Sequence, residues 1–426
     1  MTEIKSVAVL GSGVMGAGIA AHLANAGIPV ILMDLPQKGM GKKNALAKEA
    51  IEKLKKSNPA ALMHKDKAKL ITPGNLEDDL EKIKEVDWVI EVVIERLDIK
   101  QDLYAKIEKV RGAHTIVSSN TSTIPLEKLT EGRSADFKKH FLITHFFNPP
   151  RYMRLLELVK GPETSPEIAS CVADFCDRQL GKDIVECHDS PGFIANRIGT
   201  YWLQTALLEA IEKDMTVEEV DKLFGAPMGM PKTGVFALMD LVGLDLMPLI
   251  GQSMKAALPA NDAYVQSYAE PDVVAKMIAD GYTGRKGKGG FYRLNKEGGK
   301  KVKEAVSLKT GKYAPANKKV DLPCLSVSRQ GLDKMLAYGD RGGDYAWSVL
   351  SKVLCYAASL VPEIANNLYA VDQAMKTGYN WKYGPFELID RVGAKWFADK
   401  LIAEDRPVPD LIKKVGEGTF FRVHEQ

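Results

Sequence analysis

Residues 4–34, IKSVAVLGSGVMGAGIAAHLANAGIPVILMD, decide the fold class of this chain. The run Ile4 to Leu10 is β-branched and apolar, Val14 to Asn25 favours a helix, and Pro29 to Met33 is a second apolar run. Gly27 follows the predicted helix at a position where helices commonly end. Strand, helix and strand in this order predict a βαβ unit. The segment MTEIK before it lacks the positive region of a secretory signal, so we expect no targeting segment and no membrane span.

A glycine-rich loop, GSGVMG at residues 11–16, joins the first strand to the helix. In a Rossmann unit, Gly11 would permit the tight turn, Gly13 would let the backbone approach a pyrophosphate, and Gly16 would allow close packing of helix and strand. Asp34 ends the second strand where an acidic group meets the adenosine ribose. Its carboxylate would repel a 2′-phosphate, so the pattern favours NAD over NADP. The alternative is an ordinary turn, with Asp34 a plain residue at the end of a strand.

The following segments continue the alternation of strands and helices. They are a strand from Asp87 to Val93, a helix from Leu97 to Val110 and a strand from Thr115 to Ser118. This order predicts a mostly parallel sheet covered by helices. Glu95 and Ser122 each follow a strand, at the edge of the sheet where ligands bind. Ser122 has a second interpretation, as the N-cap of a helix predicted over residues 123–130.

Two extended runs flank a Pro-Pro turn and predict an antiparallel hairpin, FLITHF before the turn and LLELV after it. If the hairpin is centred on Arg151, His145 lies opposite Glu157, with Cβ atoms about 4.5–5.5 Å apart. A carboxylate at that range can fix the imidazole tautomer and stabilise its protonated form, as a general base acting near neutral pH requires. The alternative is a solitary histidine at a strand end beside an unrelated glutamate.

The motifs GSGVMG, SSNTS, HFFNP, LLELVKG and DSPGFIANR, with Asp34, resemble the L-3-hydroxyacyl-CoA dehydrogenase family over residues 1–293. The resemblance implies that His145 is the general base for the 3-hydroxyl group and that Glu157 orients it. It also implies that Ser122 and Asn196 bind the reacting oxygens. On the cofactor side it assigns Glu95, Lys100 and Asn148 to the nicotinamide, and Lys286 to a contact that closes over the cofactor.

A basic segment at residues 38–56 carries seven lysines and two glutamates. Such a run is usually the solvated face of a helix. In the family that the chain resembles, a helical insertion at this place holds coenzyme A, whose phosphates need cations. Lys48 and Lys55 are therefore the candidate ligands of the acyl-CoA substrate.

After residue 187 the pattern becomes helical, and it contains an internal repeat. VDKL at residue 220 returns as VDQA at residue 371, and FALMDLVG at residue 236 returns as FELIDRVG at residue 386. We expect a dinucleotide-binding domain at 1–187, a first helical domain at 188–293, a linker at 294–330 and a second helical domain at 331–426. The resemblance implies that single-copy relatives pair such domains across a dimer, so we expect the two copies here to pack as an internal pseudo-dimer.

Composition narrows the classes of function. Fifty-eight Lys and Arg residues against fifty-five Asp and Glu residues leave a net charge of +3, too balanced to indicate a nucleic-acid partner. Five cysteines without a CxxC pair support neither a disulfide framework nor a metal site and suggest a reducing, cytoplasmic compartment. They are Cys171, Cys176, Cys187, Cys324 and Cys355.

The function that we expect is NAD-dependent oxidation of L-3-hydroxyacyl-CoA to 3-ketoacyl-CoA in fatty-acid β-oxidation. The tandem helical domains after the dinucleotide-binding domain resemble the dehydrogenase portion of multifunctional fatty-acid β-oxidation proteins. The chain is therefore either a short protein or a part of a larger multifunctional protein or complex. Two alternatives remain at this point. One is a non-enzymatic relative that keeps the nucleotide site for a structural role. The other is a dehydrogenase of another β-hydroxyacid class that acts on free acids.

Overall fold

A computed structural model of the chain describes residues 3–37, 42–296 and 301–422. Within them the chain forms two compact units. The first contains residues 1–193 and 363–366, and the second contains residues 194–362 and 367–426. The first unit therefore continues to Phe193, beyond the domain end expected at residue 187.

The first unit is built on one eight-stranded sheet, with strand order β3-β2-β1-β4-β5-β6-β7-β8. Its strands are β1 (Val7–Leu10), β2 (Val30–Asp34), β3 (Ile71–Asn75), β4 (Trp88–Glu91), β5 (Ile116–Ser119), β6 (Phe141–Phe146), β7 (Leu155–Lys160) and β8 (Asp183–Cys187). Strands β1 to β6 are parallel, β7 is antiparallel to β6, and β8 is parallel to β7. The strand order reverses between β1 and β4, which is where ligands bind in sheets of this type. The predicted Rossmann fold is confirmed.

The helices of the first unit are α1 (Val14–Asn25), α2 (Ala45–Leu54), α3 (Leu97–Val110), α4 (Leu126–Leu129), α5 (Ala135–Lys139) and α6 (Pro166–Arg178), with 3₁₀ helices at Lys65–Leu70 and Leu80–Glu85. Apolar residues of α1 and α6 join one core with those of the sheet. Trp88 of β4, for example, packs edge-on against Phe175 of α6, with ring centroids 6.0 Å apart. The helices thus cover the sheet and leave its carboxyl edge to the loops.

The β6–β7 hairpin has the predicted register, with His145 opposite Glu157. Buried Lys182 holds its turn, because the Lys182 ammonium donates to the backbone oxygens of Pro150 and, at 2.7 Å, Met153. Burial lowers the pKa of Lys182 to about 8. The hairpin that carries the histidine is therefore held by a cation within the same unit.

The second unit is helical. Its helices are α7 (Ala195–Glu212), α8 (Val217–Leu223), α9 (Phe236–Val242), α10 (Leu246–Ala257), α11 (Ala263–Ser267), α12 (Asp272–Ala279), α13 (Cys324–Val327), α14 (Leu332–Leu336), α15 (Arg341–Ser359), α16 (Leu368–Gly378), α17 (Pro385–Val392), α18 (Ala394–Ala403) and α19 (Asp410–Val415), with a 3₁₀ helix at Ala226–Met228. Among the described residues, no single helix combines the length and apolar character needed to cross a membrane. Helices α9 and α10 meet those criteria only as a pair, and the chain bends by 91° between them.

The sequence repeat corresponds to a repeated structural device. Asp221 of α8 accepts backbone hydrogen bonds at the start of α9, including one of 2.6 Å from Phe236. Asp372 of α16 does the same at the start of α17, with 2.8 Å to the backbone nitrogen of Phe386. Each carboxylate satisfies N–H groups that a helix leaves unpaired in its first turn. Burial raises the pKa of Asp221 and that of Asp372 to about 7.

A second pair of aspartates extends this equivalence. Asp240 accepts from the backbone nitrogen of Phe291 at 2.7 Å, and Asp390 accepts from that of Phe420 at 2.8 Å. Burial raises the pKa of Asp240 to about 6. The two copies therefore share both ends of a common scaffold, and the sequence repeats at the second end too, with GGFYR at residue 289 and GTFFR at residue 418.

The stretch predicted to be a linker, residues 294–330, contains regular secondary structure in its described part. Strands β9 (Tyr292–Asn295), β10 (Val302–Val306) and β11 (Tyr313–Pro315) form an antiparallel sheet, and α13 follows within the same stretch. Arg293 joins the strands: its guanidinium lies 4.1 Å from the ring centroid of Tyr313 and bonds to Glu304 at 2.7 Å. The many lysines and glycines indicate a loop, but β10 buries Ala305 and Val306, and β9 and β10 contact α9 and α8 of the same unit.

Candidate active site

The glycine loop leaves open space at the start of α1. A Cβ atom on Gly11 would lie 2.5 Å from the Val92 carbonyl oxygen, and one on Gly16 would lie 1.9 Å from the Gly11 oxygen, whereas a Cβ on Gly13 would meet nothing within 4 Å. Gly11 and Gly16 thus allow close packing, and Gly13 keeps the helix N-terminus accessible. No side chain caps that N-terminus. Unpaired N–H groups with free space before them fit the phosphates of a dinucleotide.

Asp34 lies directly beside this loop. Its Oδ2 accepts from the Ser12 backbone nitrogen at 2.6 Å and from the Ser12 hydroxyl at 2.5 Å, while Oδ1 accepts from the Leu35 nitrogen at 2.7 Å. The carboxylate is therefore oriented at the end of β2, next to the cofactor loop. This position fits a residue that accepts hydrogen bonds from ribose hydroxyls.

His145 and Glu157 form a buried pair at the carboxyl end of β6. The distance from His145 Nδ1 to Glu157 Oε2 is 2.7 Å, and their side chains are 8% and 0% exposed. An ionised carboxylate can only accept, so Nδ1 carries the hydrogen and Nε2 keeps a free electron pair in the neutral imidazole. The geometry therefore makes Nε2 a proton acceptor, with Glu157 positioned to balance the charge that forms.

Apolar rings surround the histidine. The Phe147 ring lies 4.6 Å from the imidazole, centroid to centroid, and the Phe193 ring lies 5.6 Å from it. The next residue along β6 is held as well, because the Phe146 backbone nitrogen donates to Asn120 Oδ1 at 2.9 Å. Water is largely kept from the His145–Glu157 pair, which strengthens the electrostatic interaction between them.

Ser122 lies in a loop organised by Glu95. Glu95 Oε1 accepts from the Ser122 backbone nitrogen at 3.2 Å and from the Thr121 hydroxyl. Burial raises the pKa of Glu95, but the Lys100 ammonium and these hydrogen bonds outweigh it, and the net pKa lies below its usual value. The N-cap interpretation of Ser122 is wrong, because α4 begins at Leu126 with Pro125 at the N-cap position.

Glu91 is a site residue that the sequence analysis missed. It is fully buried at the end of β4 and binds the Lys100 ammonium at 2.7 Å, the Ser119 hydroxyl at 2.7 Å and the Tyr104 hydroxyl. Lys100 is 1% exposed and also lies 3.3 Å from Glu95 Oε2. Lys100 therefore acts on the loop through Glu95. A charged residue within the apolar run DWVIEVV was the available signal.

Two further predicted residues belong to the second unit. Asn196 lies in the first turn of α7, half-buried, and its backbone oxygen accepts from the Thr200 hydroxyl at 2.6 Å. Lys286 is 54% exposed, with its ammonium 3.9 Å from Asp245. In the first unit, Asn148 is exposed in the turn after β6. Their predicted contacts with substrate and cofactor stay predictions.

One lysine of the basic segment, Lys55, lines a surface recess. Lys48 is exposed on α2, and Lys55, just after α2, bonds to Glu52 at 2.6 Å. Lys55 lines this recess of about 290 Å³ together with Lys65 and Lys69, which the sequence analysis did not single out. Asp66 lines the recess as well, so three lysines and one aspartate leave a net positive charge that favours an anionic ligand. Residues 38–41, within the lysine-rich run, lie outside the described residues.

In the described part of the chain, no group of three or more His, Cys, Asp or Glu side chains is arranged to hold a metal ion. All five cysteines are free thiols. The chemistry of the site is therefore that of its hydrogen-bonding and ionisable side chains.

Comparison with family models gives two matches. Residues 6–190 match "3-hydroxyacyl-CoA dehydrogenase, NAD binding domain", and residues 192–294 and 346–409 match "3-hydroxyacyl-CoA dehydrogenase, C-terminal domain". The N-terminal region is therefore a NAD-binding domain. The second match spans both helical copies and skips the stretch between them.

Similar proteins agree with these matches. A Rickettsia felis protein named as a fatty acid oxidation complex trifunctional enzyme is 46% identical over 91% of this chain and 53% of its own length. The Bacillus subtilis "Probable 3-hydroxyacyl-CoA dehydrogenase" is 41% identical over 98% of this chain and 55% of its own length. The chain thus spans about half the length of these relatives. The solved structure of Escherichia coli 3-hydroxybutyryl-CoA dehydrogenase shares the fold, with a TM-score of 0.71 and 21% identity over 97% of this chain and 98% of its own.

Proposed function

Because the chain belongs to the 3-hydroxyacyl-CoA dehydrogenase family, we propose that it oxidises L-3-hydroxyacyl-CoA to 3-ketoacyl-CoA with NAD, as a step of fatty-acid β-oxidation. The observation that carries this proposal is the buried contact of 2.7 Å between His145 and Glu157 at the carboxyl edge of the NAD-binding sheet. It supports the proposal because it supplies a proton acceptor of defined tautomer at the edge of the sheet where the nicotinamide would bind. As the relatives are about twice as long, we propose that the chain works within a larger multifunctional protein or complex.

The acid–base work falls to His145. Its Nε2 takes the proton of the 3-hydroxyl group as the carbon–oxygen double bond forms, and the imidazolium that results is stabilised by Glu157. Bound NAD supplies the hydride acceptor. In the reverse direction, the same imidazolium returns the proton to the 3-keto oxygen. Ser122 and Asn196 would donate hydrogen bonds to the reacting oxygens, as the family resemblance implies.

Different residues around the glycine loop would bind different parts of NAD. The α1 N-terminus beside Gly13 would receive the pyrophosphate, and Asp34 the adenosine ribose. Glu95, held by Lys100, would lie at the nicotinamide with Asn148, and Lys286 would close over it. The Asp34 carboxylate would disfavour the 2′-phosphate of NADP.

The coenzyme A part of the substrate would bind at the basic recess. Lys55, Lys65 and Lys69 bring three cations to one recess, and Lys48 is exposed seven residues before Lys55, on α2. Asp66 and Glu52 offset part of this charge through ion pairs of 2.7 and 2.6 Å. The net charge remains positive, as the phosphates of coenzyme A require.

The second helical copy would take the place of a dimer partner. Within the second unit, α15 packs along α7: the Tyr345 hydroxyl donates to the Ala206 backbone oxygen at 2.7 Å, and Ser348 and Lys352 both bond to Glu209. Burial raises the pKa of Glu209, yet the Lys352 and Ser348 contacts bring it below its usual value. We propose that the copies form an internal pseudo-dimer in which the second is structural.

The decisive experiment is oxidation of NADH by the purified chain with acetoacetyl-CoA. Turnover with NADH and much slower turnover with NADPH supports the proposal. A protein that binds NADH without turnover would be a non-enzymatic relative. A protein that is active with free 3-hydroxyacids but inactive with the CoA ester would belong to another β-hydroxyacid class.

A further inference from the structure

A cavity in the first helical copy lies along α7. It has a volume of about 70 Å³, and its walls include Thr200 and Leu207 of α7, Ile250 of α10 and Tyr264 of α11. Glu270 lies at its rim, exposed, and already accepts from the Tyr268 hydroxyl at 2.6 Å. The walls are mainly apolar, and the one charge is negative, so the cavity favours an uncharged apolar ligand over a carboxylate.

Part of the cavity wall is specific to the first copy. In the first copy Phe291 follows Asp240 by 51 positions, whereas in the second copy the equivalent Phe420 follows Asp390 by 30. The additional residues of the first copy include α11, whose Tyr264 forms part of the cavity wall. This part of the wall therefore belongs to the copy that follows the NAD-binding domain.

The helix beside the cavity is also more apolar than its counterpart in the second copy. At the repeat offset of 150 residues, Leu249 and Ile250 of α10 correspond to Asp399 and Lys400 of α18. Ile250 lines the cavity, and the second copy has a lysine at the corresponding position. An apolar residue at this position is therefore not demanded by the shared fold, and it favours an apolar ligand in the cavity.

The cavity begins one helical turn from Asn196. Thr200 is on the same face of α7 as Asn196 and bonds to its backbone oxygen, and Leu207 lies about two turns further along this face. With a rise of about 1.5 Å per residue, Thr200 lies about 6 Å and Leu207 about 16 Å along the axis from Asn196. A straight chain of carbon atoms advances about 1.25 Å per bond, given bonds of ~1.52 Å and tetrahedral angles.

We propose that this cavity binds the distal part of the acyl chain and sets a preference for medium and long substrates. The proposal rests on the proposed function, which puts the 3-oxygen at Asn196. Counting from C3 along α7, a chain reaches Thr200 at about carbon 8 and Leu207 at about carbon 16. Substrates of four carbons end before the cavity, and those of eight or more enter it.

The test compares kcat/KM for 3-ketoacyl-CoA esters of four, eight and twelve carbons with NADH, in the full chain and two variants. Ile250→Trp fills the cavity, and Leu249→Trp adds the same bulk to the neighbouring exposed position outside it. Each methylene that loses its burial costs about fourfold, from ~0.8 kcal/mol per buried CH₂. We expect Ile250→Trp to lower kcat/KM at least tenfold for twelve carbons and to leave the four-carbon value unchanged, and Leu249→Trp to change neither.

A parent enzyme without preference for twelve over four carbons, or an equal loss at all lengths in Ile250→Trp, overturns the proposal. If Ile250→Trp does not fold, Met247→Ala enlarges the same cavity and should move the preferred length upward, and an unchanged profile would count against the cavity. The outcomes distinguish a failure of the proposed function from a failure of the acyl-chain site. A parent inactive with all three esters refutes the proposed function, whereas an active parent with a flat profile refutes only the acyl-chain site.

Discussion

Glu157→Gln should lower kcat by about 10²–10³-fold while the affinity for NADH stays near that of the parent. Glutamine can still accept the Nδ1 hydrogen bond of His145, so the tautomer and the ring orientation are retained. What disappears is the negative charge opposite the imidazolium. Two unit charges about 4 Å apart, at an effective dielectric constant of about 20, interact by about 4 kcal/mol. Since about 1.4 kcal/mol is tenfold in rate, this sets an upper limit near 10³-fold.

The assay follows acetoacetyl-CoA-dependent oxidation of NADH, with a separate fluorescence titration for NADH binding. His145→Gln is the reference variant and should lose about 10²–10⁴-fold in kcat. Because Glu157 acts through His145, the double variant should be no slower than His145→Gln alone. A Glu157→Gln enzyme within threefold of parent kcat would refute this reasoning. So would a double variant whose loss equals the product of the two single losses, because the residues would then act independently.

Four other outcomes follow. Asp34→Ala should weaken NAD binding and narrow the gap to NADP in titrations of both cofactors, and equal affinity of the parent for both would contradict the role of Asp34. Lys48→Glu with Lys55→Glu should raise KM for the CoA ester and leave that of the pantetheine ester nearly unchanged, and a similar rise for both would make the segment a solvated face. Burial raises the pKa of Asp372 to about 7, above the pKa of an aspartate in the unfolded chain. The contribution of this group to the free energy of unfolding is therefore largest below about pH 4. It falls as pH rises towards 7, by up to about 1.4 kcal/mol per pH unit. Denaturation of parent and Asp372→Asn at pH 5.5 and 8 should therefore show the parent losing more stability than the variant as pH rises, and a difference independent of pH would count against this. A fragment ending at residue 293 should aggregate or self-associate through the uncovered face of α7, and a stable, fully active monomer in light scattering would contradict the pseudo-dimer.

The local pattern of the sequence was sufficient for the NAD-binding half. Helices α1 and α3 begin and end at the predicted residues, because strong helix formers lie there between clear glycine and strand signals. The pairing of His145 with Glu157 was also within reach, since a hairpin relates its two strands by a simple sum of residue numbers around one turn. In both cases the deciding interactions lie close together along the chain.

Other features arise from residues far apart in the chain, and only the tertiary structure decided them. Glu91 belongs to the site because it forms buried hydrogen bonds with Lys100, Tyr104 and Ser119. These residues come from separate parts of the chain. The stretch predicted to be a linker forms part of a sheet because its strands pair with one another in antiparallel fashion and bury apolar side chains. Motif spacing alone therefore determined the class of fold and the acid–base pair. The burial, the charge balance and the cavity depend on packing, because a residue's surroundings are set by neighbours that its local sequence does not contain.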